Sequence, residues 1–344
     1  MSSTLQTQLA SLHGAKSSSR RHEEAVGRGI HHSVNVGHSL SVSSAKFKPS
    51  ILYPDARAAA DISVATIRED GIAALRQLEV LTGNDRFTSR EIIHGLFGPQ
   101  SLQLEKRRLA KAEWQTIHNQ ISSLLYCLAA AHSSEETQSS SSGSAAVLRV
   151  MEYLLRRYDI HVSSPHLLLL TCLPQHEAPF FARILQLVDL SAMPMWTWLR
   201  PYAAAGAPPL TRSAIANRTS KDDALLVELL QLAKDIAMSE SSSSRILSFV
   251  AATVAEALSK QARGGTSSQL SEQTVRNVLP FVLSACGGGG EDVAEKQPLF
   301  LCCREWRGLG YILATVISEN CTLGSAAREV IAVTMAKGAL LIDK

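Results

Sequence analysis

Aromatic residues are scarce in this 344-residue chain, at 5%, and its six cysteines show no C-x-x-C or other zinc-like spacing. The first shortage disfavours sheets, whose strands draw on aromatic and β-branched residues. The second removes a structural zinc site; set among apolar neighbours, the cysteines read as reduced core thiols inside a cell. No G-x-S-x-G, G-x-x-x-x-G-K-[ST] or G-x-G-x-x-G occurs, so a serine elbow, a triphosphate cradle and a dinucleotide turn all lack their backbone. Gly287 to Gly290 is followed by no Lys-Ser/Thr and reads as a linker. The longest near-continuous apolar run, Leu167 to Leu173, is far short of the ~20 residues of a membrane span. No alternating run bounded by Asn-Gly or Asp-Gly signals a hairpin. The expectation is therefore a protein with no catalytic residues, no cofactor, no metal and no membrane partner.

What is present is helical. Leu, Ala and Ser dominate, with 45% hydrophobic and 19% charged residues, a palette that favours helices. The net charge of +3 divides unevenly: residues 1–50 carry six Lys/Arg against two Glu, leaving the remainder at −1. Only the tail has a basic footprint for nucleic acid. Apolar stripes at helical spacing run through Ile117, Ile121, Leu124, Leu125 and Leu128, and through Leu225, Leu229, Leu232 and Ile236. Others run through Ile246, Phe249, Val250, Val254 and Leu258, through Val275, Val278, Leu279 and Val282, and through Trp306, Leu309, Leu313 and Ile317. Ser220 with Asp223 and Thr88 with Glu91 have capping-box spacing, and Pro165 and Pro179 suit first helical turns. A last stripe, Val330, Ile331 and Met335, is expected to be an unpaired apolar face.

Helix pairs starting near Asp223, Leu270 and Gly324 repeat at 47 and 54 residues, close to the ~40–47 of HEAT and armadillo units. The fold expected is all-α, a HEAT/armadillo-like α-solenoid with disordered inserts; a single globular helical bundle is the alternative. The expected organisation is a flexible basic tail over 1–50 with a short helix at 3–12, whose Leu5, Leu9 and Leu12 suit a docking peptide. A helical region follows over 51–132, then a disordered Ser-rich linker over 133–145, a helical segment over 146–212 and a repeat domain over 220–344. Further inserts are expected at 239–244, 263–269 and 286–297, where too few apolar groups offset the entropy of ordering. The tail's Ser- and Arg-containing composition also suits a mitochondrial transit peptide, against which Glu23 and Glu24 interrupt it.

His161, His166, Cys172 and His176 fall close together but match no zinc pattern, so loop and helix-end histidines are the better account. Trp196 and Trp198 stand beside Pro194, Pro201, Pro208 and Pro209, half the chain's four tryptophans within three residues. They fit an aromatic plug at a helix end, or else an interface anchor.

From Met151 the text resembles a known family. Met151-Glu-Tyr-Leu-Leu-Arg-Arg-Tyr-Asp-Ile-His161 runs on through Leu170, then Leu173-Pro-Gln-His-Glu-Ala-Pro-Phe180, Trp198-Leu-Arg-Pro201 and Gly206-Ala-Pro-Pro-Leu-Thr-Arg212. Ser3-Thr-Leu-Gln-Thr-Gln-Leu-Ala-Ser-Leu12 and Ser50-Ile-Leu-Tyr-Pro-Asp-Ala-Arg-Ala-Ala59 are similar to earlier blocks. This order resembles the N-terminal region of the large HEAT-repeat subunit of the small-subunit processome, in its UtpA subcomplex. The resemblance implies a nucleolar, non-catalytic scaffold in ribosome biogenesis, acting in maturation of small-subunit ribosomal RNA precursor and its coupling to RNA polymerase I. It implies UtpA-type subunits as partners, with the small nucleolar ribonucleoprotein and precursor RNA reached indirectly. Arg156, Arg157, His161, Trp196, Trp198, Arg200 and Arg212 are the candidate interface residues. A generic helical-repeat adaptor for transport or signalling is the alternative. Family members are giant solenoids, so a chain that stops near its third hairpin is expected to be a fragment, a truncated reading frame or a short form.

Overall fold

The computed structural model describes residues 49–53, 61–104, 109–132, 141–238, 244–264, 269–286, 304–321 and 325–340. The tail, its Leu5-Leu9-Leu12 stripe and most of the expected inserts lie outside the described residues. Among the described residues the chain is helical with no strand, and the fold is an α-solenoid. Its α-helices are α1 (Val64–Thr82), α2 (Lys111–His132), α3 (Ser141–Tyr158), the single turn α4 (Ile160–Ser163), α5 (Pro165–Cys172) and α6 (Pro179–Leu187). They continue as α7 (Arg212–Thr219), α8 (Asp223–Met238), α9 (Ser244–Gly264), α10 (Glu272–Ala285), α11 (Arg304–Asn320) and α12 (Ser325–Leu340). Tighter and wider turns interrupt the first half: 3-10 turns at Asp85–Thr88, Pro99–Gln103 and Pro194–Ala203, and a π turn at Glu91–Leu96.

The second half repeats. Helix pairs α8/α9 and α10/α11 stack so that α8 meets α10 and α9 meets α11. Each helix thus has neighbours on two sides, which is why its stripe is broad. Leu225, Leu229, Leu232 and Ile236 are all buried, as are Val250, Val254, Val278, Val282, Trp306, Leu309, Leu313 and Ile317. Polar ties join the repeats at their starts. The Asp223 carboxylate accepts from Thr274 Oγ1 (3.4 Å) and Asn277 Nδ2 (3.5 Å), and Gln261 Nε2 donates to Thr274 Oγ1 (2.9 Å). The α12 face departs from expectation: Ile331 is buried and Met335 packs on the core, while Val330 and Val333 are the exposed apolar residues.

The first half is built on α1 lying along α3, its most extensive helix contact, and on α2, which touches α3, α5 and α8. One core therefore runs across the Ser-rich stretch, and α3 itself begins at Ser141, inside the stretch expected to be a linker. The caps also differ from expectation. Asp222 Oδ1, not Ser220, accepts an N–H at the start of α8 (from Leu225, 3.3 Å), and Ser220 instead ends α7. Ser89 Oγ, not Thr88, accepts from Ile92 N (3.4 Å). In both, a side chain three residues before the N–H takes the role, which helix-period patterning locates only to a residue or two. Pro165 and Pro179 do open α5 and α6, where a missing N–H costs nothing.

Two glycines of α11 make a matched test. A Cβ at Gly310 would lie 2.6 Å from Ala285 Cβ, so α10 and α11 approach closely there, whereas one at Gly308 would meet nothing within 4 Å. Both sit inside a helix, where Ala exceeds Gly by ~1 kcal/mol in propensity. Gly308→Ala should raise stability by about 0.5–1 kcal/mol, and Gly310→Ala should lower it by about 1–3 kcal/mol through overpacking. Urea unfolding of the two variants checks the opposite signs.

Candidate interaction surface

The segment Met151–His161 forms the C-terminal part of α3 and opens α4, and the polar residues of its α3 part are buried or half-buried. Glu152 and Arg156, one turn apart, pair at 2.7 Å with both side chains fully enclosed. The other Glu152 oxygen accepts the N–H groups of Ile51 (2.8 Å) and Leu52 (3.2 Å). Arg156 also lies over the Tyr53 ring, and Arg183 Nε donates to the Ser50 carbonyl (3.0 Å). Residues 50–53 make no helix of their own, so α3 and α6 supply the hydrogen bonds this backbone would otherwise lack.

The same helix holds the irregular run over 85–104. The Leu96 carbonyl accepts from Tyr158 Oη (2.6 Å) and Tyr153 Oη (3.1 Å), and Ser101 Oγ lies 2.7 Å from Tyr153 Oη. Arg157 donates to the carbonyls of Ser101 and Leu104, and Arg68 Nε donates to that of Phe97 (2.6 Å). Burial pushes both phenols above their ordinary range, so they stay protonated donors.

This placement corrects the candidate interface. Arg156 is interior and Arg157 half-buried, both bound to this chain's own backbone or carboxylates. Trp196 is also interior, at 0% exposure, with its indole N–H donating to His166 Nδ1 (2.9 Å). Because indole only donates, His166 Nδ1 must be the acceptor, which leaves Nε2 to carry the proton toward Glu228 (3.3 Å). The aromatic plug is thus Trp196, seated in a 3-10 segment and not a helix end. His161 is half-buried in the single turn α4, after Asp159 at φ 49°. Trp198 is partly buried against Tyr202, and its indole N–H is enclosed with no acceptor.

Arg200, Pro201, Pro208, Pro209 and Arg212 are exposed. Arg212 lies 3.8 Å from Glu256, which Lys260 also holds at 2.7 Å. The Lys260 hydrogen bond, with Arg212 nearby, keeps the Glu256 carboxyl below its usual range. The surface that remains from the candidate set is therefore the Trp198 edge with Arg200 and Arg212, on the stretch from Pro194 to Arg212. Among the described residues no group of three His, Cys, Asp or Glu is placed to hold a metal. His166 is committed to Trp196 and Glu228, the His176 ring lies tilted against that of Phe249, and burial pushes the Cys172 thiol up to about 12, leaving it protonated. Among the described residues no helix is long and apolar enough to cross a membrane.

The two tryptophans separate core from edge. Trp196→Phe removes a satisfied buried hydrogen bond and some packing, and should cost about 1–3 kcal/mol. Trp198→Phe removes an enclosed donor that has no acceptor, and should change stability by less than about 0.5 kcal/mol or raise it. Denaturant midpoints of both variants check the contrast.

No family model matches the chain. It is 31% identical over 250 residues, 73% of its length, to an uncharacterized protein of Arabidopsis thaliana, of which it covers 10%. It is 26% identical over 219 residues, 64% of its length, to U3 small nucleolar RNA-associated protein 10 of Schizosaccharomyces pombe, of which it covers 12%. HEAT repeat-containing protein 1 of Homo sapiens matches at 24% over 191 residues, 53% of this chain and 8% of that protein. The chain thus spans about a tenth of the length of the curated relatives it matches. At modest identity, it is similar to proteins named for HEAT repeats and for association with U3 small nucleolar RNA.

Proposed function

We propose that this chain is a non-catalytic scaffold segment of the small-subunit processome, acting in ribosome biogenesis. The observation that carries the reading is the agreement of two independent features. The chain stacks helix pairs into a solenoid, and its relatives are named for HEAT repeats and for U3 small nucleolar RNA. In this reading the chain resides in the nucleolus and helps assemble the machinery that matures small-subunit ribosomal RNA precursor, early enough to be coupled to RNA polymerase I. It is a segment of the N-terminal region of the family's large subunit, and its direct partners are proteins of the UtpA type. Precursor RNA and the small nucleolar ribonucleoprotein are reached through them. Two facts support protein over RNA as the direct contact of the folded part. Arg156 and Arg157 are spent inside the fold, and the sequence beyond residue 50 is nearly neutral, whereas phosphate binding draws on an excess of positive charge.

A tagged chain should concentrate in the nucleolus and recover processome proteins, and this capture should survive nuclease treatment. Arg200→Glu with Arg212→Gln should reduce the recovery several-fold while leaving the thermal midpoint nearly unchanged, as expected of exposed rim charges. A diffuse cytoplasmic protein, or a capture free of processome components, would contradict the reading and favour a generic helical-repeat adaptor.

A further inference from the structure

Residues 176–180 tie α6 and the turn before it to both halves of the fold through two histidine–phenylalanine contacts. At one end the His176 ring lies against Phe249 of α9, with centroids 5.5 Å apart and planes tilted by 38°. At the other, Phe180 in the first turn of α6 stacks on His132, the last residue of α2, at 5.0 Å and 25°. Both histidines are buried, whereas Glu177 and Pro179 between the contacts are exposed, so water lies one layer away.

A second proton on either ring would enter an unfavourable setting. His176 Nδ1 donates to the Leu173 carbonyl (3.2 Å), which leaves Nε2 as the bare nitrogen. That Nε2 is enclosed without a hydrogen-bond partner, since Glu177 Oε1 stands 3.7 Å away on a side chain that is 79% exposed. Arg212 of α7 adds a like charge, and Glu256 of α9 faces that arginine at 3.8 Å. His132 lines a small cavity with residues of α2, α3, α5 and α6, among them Met151, Thr171 and Gln175. No side chain of that lining is charged, and its one other titratable group, the Cys172 thiol, stays protonated. Burial holds both imidazoles below their ordinary range, against Glu177 for His176 and against a bond to its own backbone for His132.

We propose that residues 176–180 are a proton-sensitive clasp, closed while His132 and His176 are neutral and opened when either ring is protonated in mildly acidic medium. Opening frees α6 from α2 and the preceding turn from α9. Contacts of α2 and α5 with α8 remain, as does the stacking of the repeats. A base whose proton affinity is lowered by folding contributes its full stability above the unfolded range. It loses that contribution as pH falls, because the unfolded chain then binds more protons. Each such histidine raises the unfolding constant by up to about tenfold per pH unit below ~6.5.

The test compares urea unfolding and hydrogen exchange of the full chain at pH 7.5 and pH 5.5, a window above the ordinary carboxyl range. On acidification the unfolding constant should rise at least about tenfold. Peptides within 173–187, corrected for intrinsic exchange, should lose more protection than those within 225–236. His132→Phe with His176→Phe keeps an aromatic ring in both places and removes both titrations, so the rise should shrink to less than about threefold. Should that pair not fold, His132→Leu and His176→Leu, made singly, should each cut the rise at least about threefold. No rise, a rise that persists in these variants, or protection lost first within 225–236 would each overturn the proposal.

Discussion

The fold of the first half depends on one enclosed carboxylate. Glu152 sits on α3 with no solvent contact, accepting Arg156 Nε on one oxygen and the N–H groups of Ile51 and Leu52 on the other. An isolated carboxylate in such a place would cost several kcal/mol, and only full pairing makes it tolerable. Pairing in turn fixes what supplies the partners. Residues 50–53 must lie against α3, and α3 must hold α1 and the 85–104 run in register, because its next residues carry the tyrosines and Arg157 that bind them. From α3 the packing passes through α2 and α5 to α8, where the repeats begin.

The two halves are therefore held by different forces. In the repeats, regular stripes of Leu, Val and Ile bury against two neighbours, and polar contacts such as Asp223 with Thr274 only set the register. In the first half, irregular backbone at 50–53 and in the turns over 85–104 leaves carbonyls and N–H groups outside regular helix, and side chains of α3, with Arg68 of α1 and Arg183 of α6, satisfy several of them. Such buried polar networks tolerate little substitution, because each lost partner strands another group.

The stripes of α8 to α11 were legible because burial on a helix follows a 3.6-residue period, and their residues are buried as the spacing requires, with Phe249 and Leu279 at the margin partly so. The irregular turns were not legible: nothing in Glu91–Leu96 announces a π turn. Arg156 and Trp196 misled for a related reason. Arginine and tryptophan are both enriched at interfaces, and residue type alone does not say whether a partner waits inside. The signal that could have moved Arg156 indoors was available. Glu152 precedes it by four residues on a helix otherwise flanked by Leu154 and Leu155, the spacing of a pair that can be buried together. The role of Ser89 and Asp222 as caps was missed by one or two residues because several Ser, Thr and Asp compete at each start.

The central claim is that residues 50–53 form one cooperative unit with α3 through Glu152. Native-state hydrogen exchange measures it directly, because the amide protons of Ile51 and Leu52 are the ones bound to that carboxylate. The account predicts that both exchange only when the whole unit opens, with the same opening free energy as the core amides of Val150 and Leu154. Exchange of Ile51 and Leu52 through a much cheaper local opening, while α3 stays protected, would contradict it.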